Sequence, residues 1–138
     1  MPTQDLNDLR KAIEGKDAEA LWSIVPALKQ CPASVPLLSS LLLDDWHESH
    51  EDIVFTLGLI GDARAIGAIE QAVTVPFRSL VKFGNVPEFQ RKCAYALARI
   101  ATEESRLALE RLAGHPDTQL REYGAEGLQK WPLPYRPL

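Results

Sequence analysis

Cysteine is scarce in this chain of 138 residues. Cys31 and Cys93 are the full complement, and neither belongs to a CxxC pair. This speaks against a disulfide framework or a cysteine zinc site. Cys93 falls at an apolar position of a helical pattern and reads as a small hydrophobe. Long apolar runs are also missing. The greasiest stretch, Val35 to Leu43, is broken by Ser39 and Ser40 and is far too short to span a bilayer. The start, MPTQDLNDLRK, is polar and has no apolar signal core, so the expected location is the cytoplasm, away from membranes. Strong charge of either sign is lacking. A net charge of -4 gives no reason to expect nucleic-acid binding and suits a basic partner better. There is no glycine-rich phosphate loop, no GxSxG and no HExxH. The reading is therefore a chain that is not an enzyme and needs no cofactor.

What is present is a helical pattern that repeats. With 46% hydrophobic and 25% charged residues the chain belongs to the globular class, and its length suits one domain with a continuous core. In HEDIVFTLGLIGDARAIGAIEQAV, Ile53, Val54, Leu57 and Ile60 recur at helical spacing. Gly61 can close that helix in a left-handed conformation, and Asp62 can cap the next. Forty residues on, Leu97, Ile100, Leu109 and Glu110 repeat Leu57, Ile60, Ile69 and Glu70. A further 31 residues on, Ala125 and Leu128 repeat Ala94 and Leu97. Such periodicity marks stacked helical pairs.

In chain order, Asp5–Glu14 reads as a short helix carrying Leu6, Leu9 and Ile13. Asp17 caps a helix to about Gln30, with Leu21, Ile24, Val25 and Leu28 apolar and Pro26 kinking or splitting it. Ser34 is expected to cap a leucine-rich helix with Pro36 in its first turn. The polar link DDWHESHED leads into the helix ending at Ile60, and a partner covers Ala63–Thr74. Val75–Pro87 reads as a long apolar insertion. Glu88–Ile100 follows, then a helix capped by Thr102 to Ala113, and a last one capped by Asp117 through Lys130. This amounts to about eight helices in four pairs, an all-α fold read as a short right-handed α-solenoid over residues 1–131. The tail 132–138 is proline-rich and cannot be helical.

The segments LGLIGDARAIGAI and LREYGAEGL resemble HEAT repeats of the short bacterial kind, the group that includes phycobilin-lyase-like repeats. The likeness covers roughly Val35 to Trp131, weakest in the first repeat and at Ala101-Thr102, where the Gly-Asp turn is replaced. It implies that the second helix of each pair lines a concave face. The inward positions would be Ile53, Val54, Leu57 and Ile60, then Cys93, Ala94, Leu97 and Ile100, then Ala125, Leu128 and Trp131. The outward ones would be Glu51, Asp52, Phe55 and Leu59, then Arg91, Lys92, Tyr95 and Arg99, then Glu122, Tyr123, Glu126 and Lys130. Aromatics and arginines among charges suit a protein-binding surface, against the plainer reading of a solvated helix face.

HEDIVFTLG also looks like the His-Glu helices of deoxyhypusine hydroxylase, a HEAT-repeat di-iron enzyme. The equivalent helices here carry Arg91-Lys92 and Glu122-Tyr123, which cannot replace the needed His-Glu pairs, so no metal is expected. A phycobilin lyase would bind a tetrapyrrole, which Trp46, Phe77 and Tyr95 could line. WHESHEDIV, LGLIGDARAI and the VPF insertion together are similar to small HEAT-repeat immunity proteins of bacterial polymorphic toxin systems. That likeness implies occlusion of a cognate toxin. The expected partner-binding residues are Asp45, Trp46, His47, His50, Glu51, Phe55, Phe77, Arg78, Phe83, Arg91, Tyr95 and Glu122. Phe77, Phe83 and Trp46 each have the alternative of folding back onto the core.

Overall fold

The computed structural model describes residues 2–135. Its elements are helices throughout: α1 (Pro2–Glu14), α2 (Leu21–Ala27), α3 (Val35–Leu42), α4 (His50–Ile60), α5 (Ile66–Ala72), α6 (Arg78–Phe83), α7 (Val86–Ile100), α8 (Glu103–Ala113) and α9 (Thr118–Lys130), with 3₁₀ turns at Pro32–Ser34 and Ala63–Ala65. There is no strand among the described residues. Nor is any helix there long and apolar enough to cross a membrane. The helices form two ranks in chain order. In the first, α2 packs on α4, α4 on α7 and α7 on α9; in the second, α3 packs on α5 and α5 on α8. Between the ranks a single buried cluster runs from Leu9 to Leu120.

The turns follow from local chemistry. Gly61 closes α4 at φ 75°, and its N–H donates to the Leu57 carbonyl. Asp62 then accepts from the Arg64 N–H at 2.9 Å, and the Arg64 guanidinium returns to the same carboxylate and to the Pro32 carbonyl. Ala101-Thr102 does the same work with other residues. Ala101 adopts the left-handed conformation at φ 58°, and Thr102 and Ser105 form a reciprocal capping box. Asp117 caps α9 by accepting from the Leu120 N–H at 3.0 Å.

Several expectations change. Ser34 does not cap α3. It is buried and donates its hydroxyl to the Cys31 carbonyl at 2.7 Å. Asp17 accepts from the Ala20 N–H, but α2 is confined to Leu21–Ala27. Pro26, which has no N–H to continue the ladder, lies in its last turn. The insertion 75–87 contains the helix α6 and ends it with Gly84 at φ 69°. In α9 the inward residues are Leu120, Gly124 and Gly127, and Ala125 is exposed. A Cβ built at Gly124 would lie 2.4 Å from the Ala113 nitrogen, and one at Gly127 would lie 2.6 Å from Leu109 Cδ2. The α9 backbone thus lies directly against α8, with glycine replacing the expected side-chain packing. Residues 132–135 are not helical and pass beside α7, where the Leu133 N–H donates to the Ala98 carbonyl. Residues 136–138 of the expected tail lie outside the described residues.

Candidate functional site

The polar link and the insertion meet, and a buried aromatic stack joins them. His50 lies face to face with His47 (4.2 Å between centroids) and with Phe77 (3.8 Å). Phe89 closes edge-on against both His50 and Phe77, and Trp46 edge-on against His47. His47 Nδ1 accepts from the Ser49 N–H, which fixes the proton on Nε2, where it donates to the Leu41 carbonyl at 2.7 Å. His50 Nε2 donates to the Asp44 carbonyl at 2.6 Å, and its Nδ1 is buried without a partner. His47 therefore holds a carbonyl in the last turn of α3, and His50 holds one just beyond it. Burial disfavours their charged forms, against the pull of those hydrogen bonds and of Asp44 and Asp45. It pushes His47 down and His50 down to about 4. Across the rim, Asp45 accepts from the Arg78 backbone N–H at 3.0 Å and pairs with its guanidinium at 3.3 Å.

This corrects three expected contact residues. His47, His50 and Phe77 are buried, Phe77 to 1% exposure, so they build the edge rather than offer it to a partner. Trp46 is partly buried on the same stack and hydrogen-bonds Asp44. Three of the four histidine ring nitrogens serve the backbone, and among the described residues no group of three His, Cys, Asp or Glu side chains has metal-site geometry. Tyr95 lines a groove between α4 and α7, and neither Trp46 nor Phe77 lines it.

The exposed face lies along α2, α4, α6 and α7. A groove of about 290 Å³ between α4 and α7 is lined by Phe55, Glu88, Arg91, Lys92, Tyr95, Ala96 and Arg99. Phe55 is 50% exposed there. Beside it opens a shallow acidic cleft, where Glu48, Glu51 and Asp52 lie between Trp22 and Phe83, 55% and 58% exposed. The Lys92–Glu51 ion pair, at 2.6 Å, forms the divide between them. Arg91 pairs with Glu126 on α9 at 2.8 Å and lies over the Tyr95 ring at 5.1 Å. Hydrogen bonding from Tyr95 and Arg91 holds the Glu126 carboxyl below its ordinary range, and Glu126 in turn raises the Tyr95 hydroxyl and the Arg91 guanidinium.

Compared with known protein families, curated proteins and solved structures, the chain matches none. Of the expected contact residues, Glu51, Phe55, Arg91 and Tyr95 share this face with Phe83, and Asp45 and Arg78 clamp its edge. Glu122 is exposed but lines neither hollow; Glu126, one turn on, is the α9 residue that reaches Arg91. Trp22 was not anticipated as a contact residue. Its signal is its place off the stripe of Leu21, Ile24, Val25 and Leu28, which leaves a large ring on the polar side of α2.

Proposed function

We propose that this chain is a non-enzymatic protein-binding module, a short right-handed α-solenoid of the HEAT type, whose α4–α7 face covers a protein partner. In its fullest form it is a cytoplasmic bacterial immunity protein that neutralises a cognate toxin by occluding it. The supporting observation is the exposure of Trp22, Phe55 and Phe83 on one face among paired and unpaired charges. Exposed rings with a charged rim are the usual anchors of protein interfaces. The two helical ranks and the matching turns at Gly61-Asp62 and Ala101-Thr102 support the solenoid reading.

The test is co-expression with the C-terminal domain of the product of the neighbouring reading frame. The wild-type chain should restore bacterial growth and copurify with that domain. Glu51→Arg with Arg91→Glu should fold and fail to protect. The ion pairs those changes break are exposed and screened by solvent, so the fold should survive their loss. A folded double variant that still protects fully would rule out this face. A non-toxic neighbour that nonetheless copurifies would leave the binding role and remove the immunity role.

A further inference from the structure

We infer that the groove between α4 and α7 takes an acidic segment of the partner protein, with a carboxylate on Arg99 and an apolar side chain between Phe55 and Tyr95. The inference rests on the protein-binding reading above and adds the chemistry of what binds. A Cβ at Gly58 would come within 2.9 Å of the Ala96 Cα and 3.5 Å of Arg99 Cδ. The bare backbone of Gly58 therefore brings α4 against α7 and gives the Arg99 stem its place over the floor. The walls are aromatic and the rim is cationic. Two of the three cations are already engaged, Lys92 by Glu51 and Arg91 by Glu126. Arg99 has no hydrogen bond or ion pair among the described residues, although it is half-buried.

A planar guanidinium in that position presents an open fork that matches a carboxylate with two parallel hydrogen bonds. Glu51 and Glu126 are taken up by Lys92 and Arg91, and Glu88, the one acid in the lining, makes no ion pair with Arg99, so Arg99 is the groove cation left for an incoming anion. Charge complementarity thus selects an anion, and the aromatic walls select an anion attached to apolar surface. A free inorganic anion would leave Phe55 exposed to water. A volume of about 290 Å³ accommodates one or two side chains, the scale of a peptide segment rather than of a large cofactor.

The probe is a random library of short peptides displayed on phage and selected on the full chain, with enriched peptides then measured by fluorescence anisotropy. Enriched sequences should carry Asp or Glu close to an aromatic residue or leucine. Arg99→Ala should weaken their binding about tenfold or more, the loss expected for a charge-assisted hydrogen-bonded contact. Arg99→Glu should weaken it further, Arg99→Lys less, and Phe55→Ala should weaken it independently. Trp22→Ala should leave it unchanged. Matching thermal melts show that each variant is folded.

The inference is overturned by a library that yields no binders, by binders without the acidic and apolar signature, or by binding that ignores both Arg99→Ala and Phe55→Ala. Displacement of the peptide by a few millimolar inorganic phosphate would reduce the groove to a simple anion site and overturn it as well. The growth assay judges the protein-binding reading separately. A chain that still protects with Arg99→Ala keeps that reading and loses this one.

Discussion

Ala101 occupies a backbone conformation that glycine holds at the equivalent turn, φ 58° against 75° at Gly61. A side chain in the left-handed region costs roughly 1–2 kcal/mol, offset in part by the entropy an alanine saves in the unfolded chain. Ala101→Gly should therefore raise stability by about 0.5–1 kcal/mol in urea unfolding. A loss would mean that the methyl packs more than the turn is strained. His50 carries the opposite kind of cost. Folding holds it neutral down to about 4, whereas the unfolded ring titrates near 6.5. Between those values the unfolded chain binds a proton that the folded chain refuses, so stability rises with pH there. It is whole above about pH 6.5 and declines toward pH 4, and the lowered His47 acts in the same direction. His50→Phe should keep the stack on Phe77 and His47, give up the hydrogen bond to the Asp44 carbonyl at about 1–2 kcal/mol near neutral pH, and flatten that slope. An unchanged slope in urea titrations from pH 4 to 6.5 would place the titrating group elsewhere.

Helix α9 packs by what its residues lack. Gly124→Ala drives a methyl into the α8 backbone at Ala113 and Leu112, which are not flexible side-chain ends. We expect a loss of at least about 2 kcal/mol, with α9 pushed off α8. Gly67→Ala in α5 is the control. Nothing lies within 4 Å of its added carbon, and the change should gain about 0.5–1 kcal/mol of helix propensity. Equal effects at the two positions would mean that α9 is not seated as described. The same contrast explains what was legible beforehand. The inward faces of α4 and α7 were readable because Ile53, Val54, Leu57, Cys93 and Leu97 are apolar and recur at helical spacing. The inward face of α9 was not, since glycine carries no hydrophobic signal, and the repeat register pointed to Ala125 instead. The brief α6 is hidden inside the insertion because six residues hold no helix alone; here Leu80 is buried and Arg78 is clamped by Asp45. The outward row of Glu51, Phe55, Arg91 and Tyr95 was legible by the same helical period. The roles of His47 and His50 were hidden, because their polar type suggests a surface that their carbonyl partners do not need.

Over the whole molecule the two ranks share one buried cluster, so the helices should unfold together. Leu57→Ala and Leu97→Ala, each from the middle of that cluster, should cost about 2–5 kcal/mol and shift a single transition without splitting it. Two steps by calorimetry, or no loss from either change, would mean that the ranks are not one core. The overall charge of -4 is a poor guide to the groove, because it averages an acidic cleft with the cationic rim next to it. Trp22 sits on the acidic side of that divide, wide open to solvent, whereas Trp46 is shielded by the histidine stack and Trp131 donates its indole N–H to Thr102 and Ser105. The three indoles accordingly differ in what can collide with them while excited. With Glu51 taken up by Lys92, Glu48 and Asp52 leave the cleft negative, which gathers cations around Trp22 and turns anions away. Caesium should therefore extinguish its emission more efficiently than iodide at equal ionic strength, and any molecule seated in the cleft should shield that light from both.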